Sequence, residues 1–340
     1  MAMTDAPVLA RGGSLPRLGL AWVTWRQHRF ALYGLLGMLA CFAALMVAGG
    51  LQARSTYEQL GLAQCTSYSS GRCQQLADDL FTSYGTKWPF LFLLLLPAAF
   101  GAFLGGPLIA RELETGTYRF AWTQGAGRTR WLLTKLTLIA VVLVAVTAGY
   151  GALYSWYNAP LDHVLPTGFG DYLNFELEGI VFPVQTLLAF VAGVFTGLLV
   201  RRTMVAVGTV FLGSFGLLMA TVFKLRQDYM APLTTTDKPG LRDWVVGTGF
   251  ADPAGHLLSD SQSRSLYMKY VAQLPSGDGP ISVHSAPYRD WLQARHYAIV
   301  TSYHPAGRFW PFQLIEVGWM GLLTLLLAIA TVWLVRRRIG

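Results

Sequence analysis

Apolar residues are gathered along this chain in long, nearly uncharged blocks, and polar residues are confined to the joints between them. The blocks run from Phe30 to Gly50, Trp88 to Ala110, Leu132 to Trp156, Gly179 to Val200, Thr203 to Phe223 and Phe312 to Val335. A hydrocarbon layer of about 30 Å takes roughly 20 apolar helical residues to cross, so each block predicts one spanning helix. In the second block Pro97 removes a helical hydrogen bond and predicts a kink, while Gly101, Gly105 and Gly106 let a neighbouring helix come close. The fourth and fifth blocks are joined by little more than Arg201 to Thr203, which predicts a tight hairpin.

Two segments depart from this alternation. Ahead of the first block, Ser14 and Pro16 suit a helix start, and Leu18, Trp22 and Trp25 recur on one helical face. With Arg26 and Arg29 beside them, Trp22 and Trp25 predict a helix anchored in the lipid interface before the chain turns into the bilayer. Between the fifth and sixth blocks the chain is polar from Lys224 to about Arg308, with "DKPGLRDW", "LPSGDGP" and "SAPYRDWLQARHY". This predicts an external subdomain of about 80 residues, enough to bury a small core, with Trp291, Leu292, Tyr297 and Ile299 as core candidates. The expected fold is all-α and integral to the membrane. A tail and interfacial helix occupy 1–29, spans one to five 30–223 with a loop at 111–131, the external subdomain 224–308, and the last span with a basic C-terminus 309–340.

Composition fixes the class: 53% of residues are hydrophobic and 13% charged, against about a quarter charged in a soluble domain. The net charge of +8 is explained by topology. One side of the predicted bundle collects Arg11, Arg17, Arg26, Arg29, Arg111, Arg119, Arg128, Arg130, Arg201, Arg202 and Arg336 to Arg338, against only Asp5, Glu112 and Glu114. Basic residues at span ends mark the cytoplasmic face. The chain is therefore expected to be multi-pass in the inner (plasma) membrane with both termini cytoplasmic, and its basicity needs no nucleic-acid partner. The first apolar run, too long for a signal h-region and preceded by several basic residues, predicts no cleavable signal peptide.

Candidate chemistry is sparse. There is no phosphate loop, HExxH or GxSxG motif, so no catalytic residue is assigned and no nucleotide is expected on this chain. Cys65 and Cys73 share the outer loop between the first two spans. They are either a disulfide suited to an oxidising exterior or two free thiols, and with no CxxC and no adjacent His they predict no metal site. Glu316 enters the last span, where a charge is costly unless paired or hydrated. It either gates the outer end of a pathway or sits at the headgroup level between Trp310 and Trp319. Phe211, Phe215 and Met219 share one face of the fifth span, as lining of an apolar substrate path or as ordinary packing and lipid contact.

The stretch "ARELETGTYRFAWTQGAGRTRWLLTKL", Ala110 to Leu136, is the richest. The second span should continue as helix through Arg111 to Thr115 and stop at Gly116 in the left-handed conformation. Glu112 and Glu114 then project past an anionic leaflet, which suits a protein partner better than lipid. Thr117 to Gln124 can form a second short helix that offers Tyr118, Phe120 and Trp122 as an aromatic anchor.

"RELETGTYRFAWTQ" and "RTRWLLTKL", with "TWRQHR" at Thr24 to Arg29 and "YHPAGRFWPFQLIE" at Tyr303 to Glu316, resemble the type-2 ABC exporter permeases, particularly the actinobacterial kind. The resemblance implies a transmembrane subunit without an ATPase of its own. It implies a dimer with a second permease, a homodimer being favoured because closed cyclic pairs are the commonest assembly. Separate ABC ATPase subunits would carry ATP and Mg, and Arg111 to Gln124 would be the loop that docks on them. The substrate would be a hydrophobic drug, antibiotic or lipid-like molecule, expelled by ATP-driven alternating access. The alternative is a non-transporting ABC membrane subunit that passes ATPase motion to extracytoplasmic partners, for which the size of the external subdomain speaks. An intramembrane enzyme would need paired acids or His within the spans, and only Glu316 offers itself.

Overall fold

The computed structural model describes residues 17–65, 71–84, 90–116, 128–164, 169–240, 242–274 and 285–338, the side chains of 17–32, 34–36, 38, 128, 163–164 and 338 excepted. It is mostly helical. Helix α1 (Arg17–Gln59) runs 43 residues, about 65 Å at 1.5 Å per residue. No turn separates the expected interfacial helix from the first span, because the segment holds no proline and its glycines are tolerated within a helix. Trp22, Trp25, Arg26 and Arg29 thus lie on one continuous helix, with their side chains outside the described residues. Beyond α1, Cys65 is bonded to Cys73 on α2 (Gly71–Tyr84), with Cα atoms 5.9 Å apart. Tyr157 ties α2 to the bundle by donating its hydroxyl to the Tyr84 carbonyl at 2.8 Å.

The second apolar block is a broken helix: α3 (Leu91–Leu94), α4 (Leu96–Phe100), a π turn over Gly101–Gly105, and α5 (Gly106–Thr115). The break at Leu95 lies two residues ahead of Pro97, which stands in the first turn of α4, where its missing N–H costs least. Then follow α6 (Arg128–Val164), a short α7 (Tyr172–Leu177), α8 (Val181–Val200) and α9 (Thr203–Ala220). A π turn and a 3-10 turn carry the last of these on to Asp228, so Arg226 belongs to the helical bundle. Among the described residues four stretches are long and apolar enough to cross a membrane: Thr129–Asp162, Val181–Val200, Thr203–Asp228 and Ala306–Arg337.

Helix α8 is the most enclosed of these. The glycines of the broken helix meet it with backbone on backbone. A Cβ on Gly101 would come within 2.5 Å of the Ala189 carbonyl oxygen, and one on Gly193 would overlap the Gly101 carbonyl oxygen. Such contact gives dispersion attraction between main chains where lipid offers no hydrophobic driving force.

Between α9 and the last helix the chain folds the small unit whose architecture the sequence left open. Strands β1 (Leu233–Thr235), β2 (Trp244–Ala251) and β3 (Ala298–His304) form an antiparallel sheet in the order β1-β3-β2, with Leu233 opposite Tyr303 and Trp244 opposite His304. Helix α10 (Asp260–Val271) starts with a capping box between Ser259 and Gln262, and α11 (Ala286–Gln293) packs beside it. Their core is Leu266, Tyr270, Tyr288 and Leu292, with Trp291, Tyr297 and Phe250 partly buried around it. Three residues, Ala306–Arg308, then lead into α12 (Phe309–Arg338). At this joint His304 is buried between the Trp244 and Phe312 rings, and Arg308 donates to His304 Nδ1 at 2.9 Å and to the Ala231 carbonyl at 2.7 Å.

Gly193→Ala should lower the thermal midpoint of the purified chain by several degrees. Gly213→Ala on α9, where an added Cβ meets nothing within 4 Å, should leave it level or raise it, because alanine favours helix by about 1 kcal/mol. Equal responses at the two positions would mean that the α8 contact is not close.

Candidate functional site

Charged side chains cluster at the two poles of the bundle, and each cluster joins helices that are distant in sequence. At one pole α5 ends and α6 begins. Helix α5 stops at Thr115 because Gly116 takes a left-handed φ of 72°, which only glycine adopts cheaply. Two acidic side chains precede it, and both are used inside the chain. Glu112 accepts from Lys135 Nζ of α6 at 2.6 Å, and Lys135 also lies 4.3 Å from the centre of the Trp131 ring. Glu114 accepts from the Thr203 backbone N–H at 3.0 Å and the Thr203 hydroxyl at 2.7 Å. It thereby caps α9, whose own N-cap residue Arg202 makes no side-chain cap bond. The Thr203 hydroxyl and amide together hold the Glu114 carboxyl below the usual carboxylate range.

Both carboxylates are thus engaged within the chain, with Glu114 still exposed. Their partners lie in the same chain, because the ends of α5, α6 and α9 converge at this pole and a free helix N-terminus attracts a carboxylate. Arg111 stays exposed. Thr117, Tyr118, Phe120, Trp122 and Gln124 lie outside the described residues.

At the opposite pole stands a buried ionic triad. Arg226, at the end of the α9 extension, donates from Nε to Glu316 Oε2 at 3.1 Å and from Nη2 to Glu316 Oε1 at 3.0 Å, a bidentate pair with α12. The same Nη2 reaches Glu176 Oε1 of α7. The guanidinium lies over the Phe175 ring, 3.9 Å from its centre. Glu176 and Glu316 are 0% exposed and Arg226 2%. Trp319 Nε1 donates to the Tyr229 hydroxyl at 3.1 Å, and that hydroxyl turns its proton to Glu316 Oε2 at 3.3 Å. The Glu316 side chain points into the bundle, where Arg226 compensates it.

The remaining contacts of α7 explain why Glu176 is held there. Asp171 caps its start, accepting from the Leu173 and Asn174 amides at 3.0 and 3.1 Å. Tyr154 of α6 donates to Asn174 Oδ1 at 2.8 Å. Gln313 of α12 accepts from the Ile180 and Val181 amides and donates to the Phe175 and Glu178 carbonyls, so one buried amide closes α7 and opens α8. Sequence reasoning missed Glu176, Arg226, Lys135 and Gln313. Lys135, a charge inside an apolar block, was the one available signal. Arg226 fell in the segment assigned to the external subdomain, and Glu176 in the link between the third and fourth apolar blocks.

Of the other candidates, Phe211 and Met219 are half-buried on α9, while Phe215 is exposed. Met219 packs against the main apolar core of the bundle. Among the described residues no group of three or more His, Cys, Asp or Glu side chains is arranged to hold a metal ion. A family model described as ABC-2 membrane transporter related matches residues 36–226, more than half of the chain. No curated protein and no solved structure matches it.

Arg226→Met strands two buried carboxylates and should cost about 3–5 kcal/mol, read as a lower midpoint in thermal unfolding. Adding Glu176→Gln and Glu316→Gln should recover most of the loss, and a triple variant no better than the single one would deny the triad its ionic role. At the other pole, Glu114→Ala should speed amide exchange at Thr203 to Ala206 at neutral pH. The Glu114 pKa is lowered on folding, so its stabilisation is full above the ordinary carboxylate range and fades as the pH falls through it. Acid should therefore mimic the substitution, and unchanged exchange in Glu114→Ala would remove the cap.

Proposed function

Because the chain belongs to the ABC-2 membrane transporter related family, and is a multi-pass membrane protein of a kind that normally pairs with an ATPase subunit, we propose that it is the permease subunit of an ABC exporter. The substrate is a hydrophobic drug, antibiotic or lipid-like molecule, moved out of the cell by ATP-driven alternating access. ATP and Mg are bound by the partner subunit, and a second copy of this chain completes a homodimer in the plasma membrane with all termini cytoplasmic.

The observation that carries this reading is the pair of carboxylates on α5. Glu112 fastens α5 to α6, and Glu114 fastens it to α9. The loop between α5 and α6 therefore pushes or pulls three helices at once, which is what a lever driven by an ATPase needs. The basic residues around it support a cytoplasmic position. Tyr118, Phe120 and Trp122 are the anchors for the ATPase, and Trp22, Trp25, Arg26 and Arg29 hold α1 against the lipid interface. At the other pole the Arg226 triad joins α7, α9 and α12 and serves as the outward gate, with Phe211, Phe215 and Met219 along the path to it. The non-transporting alternative draws on the folded unit around the sheet, which Arg308 and His304 fix rigidly to α12.

The chain reconstituted with its ATPase in proteoliposomes tests the proposal. Replacing Tyr118, Phe120 and Trp122 together with Ala should leave insertion intact and reduce substrate-stimulated hydrolysis and export by at least about tenfold, since such aromatics carry most interface energy. Full coupling in that variant would show that the loop faces only water. Wild-type hydrolysis that moves no hydrophobic substrate would favour the non-transporting reading.

A further inference from the structure

The triad is unbalanced in charge. One guanidinium faces two carboxylates, and none of the three reaches water. With both acids ionised the site carries one net negative charge in a medium where isolated charge is expensive. The hydrogen bonds show which acid holds the surplus. Glu316 receives both arms of the Arg226 fork and the Tyr229 hydroxyl, so each of its oxygens is satisfied. Glu176 receives one bond, at Oε1, and its Oε2 is buried with no hydrogen-bond partner.

Among the described residues no other cation bonds to the two carboxylates, and Lys224 on the same extension is exposed and paired with Asp228. Helix α8, which packs against α7, carries no titratable side chain, and neither does α3. From α6 come Tyr154, which is spent on Asn174, and Asp162, which accepts from Asn158. Glu178 also accepts from Asn158, and Asp171 caps α7. From α12 comes only Glu316, and Arg308 is turned to His304 and Ala231. The acids flanking α7 add negative potential, which makes a second carboxylate charge in the triad harder to hold. A neutral hydroxyl left without an acceptor costs far less than an unpaired buried charge.

We propose that the triad is a proton-binding site, with the exchangeable proton on the Glu176 carboxyl. A proton from water bonds to Oε2, the site goes from one net negative charge to neutral, and no other covalent bond changes. Arg226 keeps its bidentate pair with Glu316, and its link to α7 drops from an ion pair to a hydrogen bond onto a neutral carboxyl. The pH at this pole thereby sets how tightly α7 is held to α9 and α12. Binding of the proton is a property of the isolated chain and stands or falls apart from the transport reading.

Infrared difference spectroscopy of the purified chain in lipid, titrated from mildly alkaline to mildly acidic pH, reads the protonated carboxyl directly through its C=O stretch. The expected result is a band that grows as the pH falls, is shielded from rapid H/D exchange, and is absent from Glu176→Gln. In Glu316→Gln the competing carboxylate is gone and Arg226 serves Glu176 alone, so proton affinity should fall at least tenfold and the midpoint should move to lower pH. Absence of any titrating buried carboxyl in the wild-type chain would overturn the proposal. So would a band that persists in Glu176→Gln, or a midpoint that stays put or rises in Glu316→Gln. Should Glu176→Gln fail to fold, the wild-type titration and the Glu316→Gln shift still decide it.

Discussion

A charge or main-chain amide that leaves water for the interior of a lipid-embedded bundle has to be met by a partner from the same chain, and the helix ends of this protein are arranged around that requirement. Lys135 sits inside an apolar block and is met by Glu112. The first amides of α9 emerge from a hairpin of two arginines that offer them nothing, and Glu114 supplies the acceptor. The first amides of α8 follow an irregular link, and Gln313 reaches across from α12 to accept from them. Each solution uses a side chain remote in sequence, so satisfying the backbone also fixes which helices are neighbours.

Between the poles the bundle is held by a different means. Lipid tails are as apolar as leucine, so burying leucine adds little, and close approach of main chains decides the packing. The π turn Gly101–Gly105 widens the broken helix where α8 passes, and the glycines on both sides bring carbonyl groups into contact. The central seam of close main-chain contact therefore has polar ties at both ends.

Much of this was legible beforehand where the physics is local. The stop at Gly116 follows from glycine's access to a left-handed φ, and the break near Pro97 from a missing N–H. Cys65 and Cys73 left two readings open, and the structure bonds them. The continuous α1 was less legible, since Trp and Arg on one helical face mark an interface whether or not a turn follows. Glu316 was singled out by cost alone, and its partner Arg226 lies 90 residues away, outside any sequence window.

The sequence by itself determined the class of the molecule, the apolar helical runs and the stop of α5 at Gly116, because hydropathy, helix propensity and glycine conformation act within a few residues. Only the tertiary structure decided what the charges do. Glu176 and Arg226 are 50 residues apart, and Arg226 and Glu316 are 90. They meet because α9 continues past its apolar stretch to Asp228 and α12 starts beside it. The worth of a buried charge depends on the partner that folding brings to it, and that partner is set by packing among distant helices.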